Sequence, residues 1–116
     1  MAPTKSPPPA RERIAVEEGF MVPEVAAAAR ALDEKNGLAG PPTETRKAMA
    51  RDLLDLGEGR IKQMDADGIT KQLIVIGSPG VQAFDPVQGY ELSKLVNDRL
   101  AEACRKYPAR FAGLAA

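Results

Sequence analysis

Apolar residues in this chain fall into short continuous runs separated by longer stretches with helical spacing. Ile14, Ala15 and Val16 lead into Glu17, Glu18, Gly19 and Phe20, which fits a short buried strand with polar groups at its end. Leu73, Ile74, Val75 and Ile76 are continuous and rich in β-branched residues, which predicts a second, parallel strand covered on both faces. Between the two, Pro23 to Leu32 is alanine-rich, with a proline suited to a first helical turn and Asn36-Gly37 as a stop. Gly40, Pro41 and Pro42 break the chain, and helical spacing resumes after Thr43, from Arg46 to Leu56. Gly57 and Gly59 mark a break, and Arg60 to Ala66 forms a further helix that ends at Asp67-Gly68.

Gly77, Ser78, Pro79 and Gly80 terminate the second strand, and a loop is expected to run on to about Val87 or Gln88. Leu92, Leu95, Val96, Leu100, Ala103 and Cys104 then form one apolar stripe, with charged residues around the rest of the helix. Pro108 ends that helix, and Phe111 to Ala116 begins a third apolar strand. The order strand, helices, strand, helix, strand predicts an α/β fold built of βαβ units on a parallel sheet. Three strands make such a sheet incomplete, and its edge would seek another strand. Met1 to Arg13 carries four prolines and no apolar periodicity, so a disordered leader is expected there, with the ordered portion at 14–116.

Charge and composition narrow the functional classes. Sixteen basic and sixteen acidic residues cancel, which disfavours nucleic acid and anionic membranes as partners. The longest apolar run is far below the roughly 20 residues of a membrane span. A single cysteine, Cys104, cannot form an internal disulfide, and a cytoplasmic setting is the default expectation. Histidine is absent altogether, which removes the commonest metal ligand and neutral-pH proton carrier. Without histidine, Cys104 on its apolar stripe reads as a small hydrophobe rather than a nucleophile. Asp65 and Asp67 are two apart on a helix and do not face each other, so they read as solvated charges near its end. Gly77-Ser78-Pro79-Gly80 lacks the Gly-Lys-Ser/Thr ending of a phosphate loop, which leaves Ser78 as a turn residue rather than a contact at a strand's end.

Three blocks in order carry a family resemblance: Arg13 to Phe20 (RIAVEEGF), Gly59 to Ile69 (GRIKQMDADGI), and Asn97 to Glu102 (NDRLAE) with Tyr107 to Phe111 (YPARF). Together they resemble the amidohydrolase-related enzymes that include the γ-resorcylate and aminocarboxymuconate-semialdehyde decarboxylases, over residues 13 to 116. The resemblance implies the N-terminal βα units of a (β/α)8 TIM barrel, whose rim holds a divalent metal, zinc or manganese, for decarboxylation of an aromatic acid or for hydrolysis. A whole barrel takes about 250 residues, so this chain would be a part of one.

In that family the first strand ends in Glu-x-His, two residues that a regular strand presents on one side. Glu17 matches the glutamate as a metal ligand, whereas Gly19 replaces the expected histidine and offers no donor. Glu18 would point to the opposite face. The family's later histidine and aspartate ligands would lie on strands beyond this chain. The implied expectations are no catalytic residue and no bound metal in this chain alone, and a small aromatic acid as the ligand of a full enzyme. Homo-oligomerisation or association through the exposed strand edge is expected as well, and a non-catalytic relative that pairs with another subunit is the alternative.

Overall fold

A computed structural model of the chain describes residues 11–116. Seven elements follow in order: β1 (Ile14–Phe20), α1 (Pro23–Lys35), α2 (Glu44–Leu54), α3 (Glu58–Asp67), β2 (Lys71–Ile76), α4 (Pro86–Lys106) and β3 (Phe111–Gly113). The strands form one sheet in the order β1-β2-β3, with both pairs parallel. The first ten residues of the expected leader lie outside the described residues. At its last position, Arg13 is already tethered: its N–H donates to Thr70 Oγ1 at 2.9 Å and its carbonyl accepts from the Thr70 N–H at 2.9 Å.

Local chemistry accounts for the helix ends. Thr43 accepts from the Arg46 N–H at 3.2 Å and starts α2, the expected role of a threonine at an N-cap. Asp85 does the same for α4, accepting from Val87 and Gln88 at 3.0 and 3.1 Å. That cap starts α4 at Pro86, slightly earlier than the loop read from the sequence, because Pro86 occupies a first-turn position that needs no N–H. Gly68 closes α3 at φ 70°, the left-handed conformation that glycine adopts without a β-carbon clash. The break between α2 and α3 falls at residues 55–57, where the Asp55 carboxylate accepts from the Gly57 N–H at 2.8 Å, whereas Gly59 lies inside the first turn of α3.

The helices cover one face of the sheet. Phe20 and Ile74 are fully buried there, packed with Val22, Val25, Met64, Val96, Leu100 and Phe111. Register partners in a sheet share a face, so Gln72 with Phe111 and Ile74 with Gly113 look toward the helices, while Gly19 with Val75 and Leu73 with Ala112 look away. On that second face Leu73 and Val75 are only half-buried and Ala112 is exposed. β2 is thus well covered on one face rather than on both: Leu53 of α2 reaches the other face beside Gly19, while Leu73 and Val75 stay half-buried there.

Gly113 sets how closely α4 approaches β3. A β-carbon at this position would stand 2.6 Å from Leu100 Cδ2 and 2.7 Å from its Cγ, inside van der Waals contact. Leu100 is buried, so it would have to repack to make room. Gly113→Ala is therefore expected to destabilise the chain by about 1–3 kcal/mol, read as a lowered urea midpoint with an unchanged slope. An unchanged midpoint would show that α4 can shift outward freely.

Candidate functional site

β1 is not a regular strand. Its register with β2 pairs Ala15 with Gln72 and Glu18 with Ile74, so Val16 and Glu17 together oppose the single residue Leu73. This is a β-bulge, in which an extra residue bends the strand and re-aims a side chain. Glu17 sits in it at φ 60° and is the only non-glycine residue with positive φ among those described. A left-handed conformation costs an L-residue with a β-carbon roughly 1–2 kcal/mol. Such outliers persist where surrounding contacts hold them, commonly at functional sites. The Glu17 side chain is exposed, and among the described residues it makes no hydrogen bond or ion pair.

The bulge changes the expected side-chain geometry. Regular alternation would have put Glu17 and Gly19 on one side, but the left-handed residue breaks that alternation, and Glu17 cannot be placed by counting from its neighbours. Glu18, paired with the buried Ile74, lies on the helix-covered side, away from Gly19. At Gly19 a β-carbon would stand 3.3 Å from Leu53 Cδ2, so any side chain introduced there must first push Leu53 aside.

On the helix side a cleft of about 630 Å³ is bordered by Glu18, Asp52, Asp55, Arg60, Gln63 and Gln72 among others. Arg60 is its centre. Its Nε donates to the Asp55 carbonyl at 2.7 Å, and Nη2 to the carbonyls of Gly19 at 2.8 Å and Asp52 at 3.3 Å. Nη1 donates to Gln72 Oε1 at 3.2 Å. Burial pushes the Arg60 pKa down, and the carboxylates of Glu18, Asp55 and Asp52 oppose that shift. The guanidinium remains charged at neutral pH, since its ordinary value is so high. Neither Arg60 nor Gln72 stood out in the sequence, because their significance lies in partners 41 and 12 residues apart.

Ser78 is exposed in the turn after β2. Asp65 is a solvated charge near the end of α3, its side chain 62% exposed, and it also accepts from Arg110 Nη2 at 2.7 Å, which ties α3 to the approach of β3. Asp67 accepts from Gln63 at 3.0 Å, one helical turn away. Cys104 is half-buried on α4, where burial pushes its thiol pKa up, the opposite of what a nucleophile requires.

A parallel sheet of three consecutive neighbouring strands, with helices on one face and the other face largely open, is the N-terminal run of βα units of a (β/α)8 barrel. No family model matches the chain. Curated and solved relatives do. The γ-resorcylate decarboxylase of Rhizobium sp. is 36% identical over 105 residues, which span 90% of this chain and 30% of that protein. The 5-carboxyvanillate decarboxylase of Novosphingobium aromaticivorans, solved with manganese and 4-hydroxy-3-methoxy-5-nitrobenzoic acid, is 37% identical with a TM-score of 0.81. That similarity covers 90% of this chain and 33% of the solved one. The 2,6-dihydroxybenzoate decarboxylase from Rhizobium superposes with a TM-score of 0.74 at 33% identity, over 91% of this chain and 30% of its own. This chain thus spans about 30% of the length of the curated relatives it matches, and what it resembles is the N-terminal part of amidohydrolase-related decarboxylases.

A divalent metal belongs to that resemblance, and the donor chemistry bears on it. Glu17 offers an exposed carboxylate with both oxygens unengaged, which suits a hard divalent ion. It is one donor. Among the described residues no group of three histidine, cysteine, aspartate or glutamate side chains comes together to hold a metal. The fit is right in kind and incomplete in number.

Proposed function

We propose that this chain is the N-terminal portion of a metal-dependent carboxy-lyase acting on an aromatic acid, with Glu17 as the one metal donor it contributes. The observation that carries the proposal is the pairing of decarboxylase similarity along 90% of the chain with a free carboxylate in a strained bulge at Glu17. A bound divalent ion would supply Lewis-acid polarisation of an aromatic acid's oxygens. The chain's own part is to present the Glu17 carboxylate, and to keep Glu18 on the far side of the sheet. The remaining donors and the pocket for the aromatic acid belong to the portion of the relatives that this chain does not span. By itself the chain is inactive and holds no metal.

Decarboxylation is favoured over hydrolysis because the named relatives at 33 to 37% identity are decarboxylases. Neutral overall charge supports a small-molecule ligand over nucleic acid, and no helix of the described residues is long and apolar enough to cross a membrane. A cytoplasmic location accords with both. Association through strand edges, with another copy or another barrel subunit, is the second reading. It is favoured by the exposed apolar side chains of Ile14 and Val16, 52% and 64% accessible on an edge strand.

A graft separates these readings. Residues 13–116 replace the matching N-terminal third of the N. aromaticivorans 5-carboxyvanillate decarboxylase, and CO₂ release from 5-carboxyvanillate is followed with manganese present. The carboxy-lyase reading expects metal-dependent turnover. A graft that folds and binds manganese yet releases no CO₂ would sink it.

A further inference from the structure

Resting on the reading of Glu17 as a metal donor, we infer that Arg60 is the positioning residue that holds the β1 bulge, and so keeps Glu17 in its left-handed conformation. One Nη atom holds β1 just after the irregularity, and the other holds β2 opposite the residue just before it. Nη2 takes the Gly19 carbonyl, two residues after Glu17, at 2.8 Å. Nη1 takes Oε1 of Gln72 at 3.2 Å, and Gln72 is the register partner of Ala15, two residues before Glu17. The span between these anchors contains the extra residue that the bulge accommodates.

The guanidinium is itself fixed, because Nε and Nη2 also reach the carbonyls of Asp55 and Asp52 at the end of α2. The same segment takes up the neighbouring backbone group of β1, where the Met21 N–H donates to the Leu53 carbonyl at 2.8 Å. Gln72 is an immobile lower anchor, being 9% exposed and the one polar side chain buried among the described residues. Arginine suits the task because its rigid planar fork reaches several acceptors at once, which an ammonium on a flexible stem does not. Held at four points, the fork resists relaxation of β1 into a regular strand, which would shift Glu17 out of the left-handed region and flip its side chain.

The test is a double-mutant cycle on the full chain without metal, which leaves it independent of whether Glu17 binds an ion. Glu17→Gly relieves a left-handed β-carbon and is expected to raise the thermal midpoint by about 3 °C. In an Arg60→Met background that gain should vanish, since the unclamped strand has already relaxed. Arg110 supplies the control: it ties the carbonyls of Thr70 and Ile69 and the Asp65 carboxylate, at 2.8, 3.1 and 2.7 Å, without touching β1. In an Arg110→Met background the gain from Glu17→Gly should persist in full.

An equal gain in the wild-type, Arg60→Met and Arg110→Met backgrounds overturns the inference, as does the absence of any gain in the wild type. Should Arg60→Met fail to fold, Gln72→Met removes one anchor only, and the gain should then fall to about half. A cycle that behaves as expected while the graft with Glu17→Gln keeps its manganese would leave the clamp standing and remove the donor reading.

Discussion

Arg60→Met is expected to lower the unfolding free energy of the chain by about 3 kcal/mol, measured by urea denaturation. Methionine matches the aliphatic stem, so the loss isolates the guanidinium. Removing it takes the guanidinium donor from the carbonyls of Gly19 and Asp55 and from the Gln72 side-chain oxygen, and leaves the Asp52 carbonyl with only the Asp55 N–H at 3.3 Å. Hydrogen bonds to a charged group contribute about 1.5–3 kcal/mol each in mutational series, and water reaching the outer carbonyls recovers part of that. Against a total of about 5–15 kcal/mol for a typical domain, such a loss is severe. Arg60→Lys keeps the charge and loses the fork, and should cost roughly half as much. A loss below about 0.5 kcal/mol, the range of ordinary surface substitutions, would show that solvent replaces every one of these bonds.

The contrast between Arg60 and the strands explains which parts of this fold were legible from sequence. Leu73 to Ile76 and the stripe from Leu92 to Cys104 reveal themselves because burial imposes a period on neighbouring residues. The strand at 71–76 and the helix at 86–106 follow directly from that. Asn36-Gly37, Asp67-Gly68 and Pro108 likewise act on the backbone beside them, so the helix ends near each are local properties. Family resemblance added what periodicity could not, the barrel context.

The bulge stayed hidden for an equally physical reason. Left-handed backbone is announced by glycine or asparagine, and the segment from Ile14 to Phe20 places its only glycine two residues after the strained position. The conformation at Glu17 is set by Arg60 and Gln72, distant in sequence, and no local pattern encodes such a contact. A half-buried arginine on a glycine-interrupted helix reads as one more solvated charge until its acceptors are seen. The second face of β2 was expected to be covered because a continuous β-branched run is suited to burial on both sides. The chain's own elements cover only one of them well.

Glu17→Gln in the graft described above is expected to weaken manganese binding by well over 100-fold and to abolish CO₂ release, while Glu18→Gln changes either by no more than about threefold. Loss of a group that only hydrogen-bonds to a metal ligand typically costs 10–100-fold in metal affinity, so loss of a donor itself must exceed that. The two glutamates are adjacent and chemically identical, and only backbone geometry distinguishes them. Glu18 pairs with the buried Ile74 and faces the Arg60 cleft beneath the helices. Glu17 stands in the bulge at φ 60° with its carboxylate unengaged. Glutamine preserves the size of either side chain and removes only the charge, so a fold change cannot account for a difference between the variants. Titration with manganese alone, monitored by calorimetry, gives the affinities, and CO₂ release gives the activity. If Glu18→Gln proved the more damaging, the ion would have to be approached from the helix side, and the bulge would be an accident of packing. If both were silent, the metal would be held entirely by the remainder of the barrel, and this chain would contribute shape and stability but no donor.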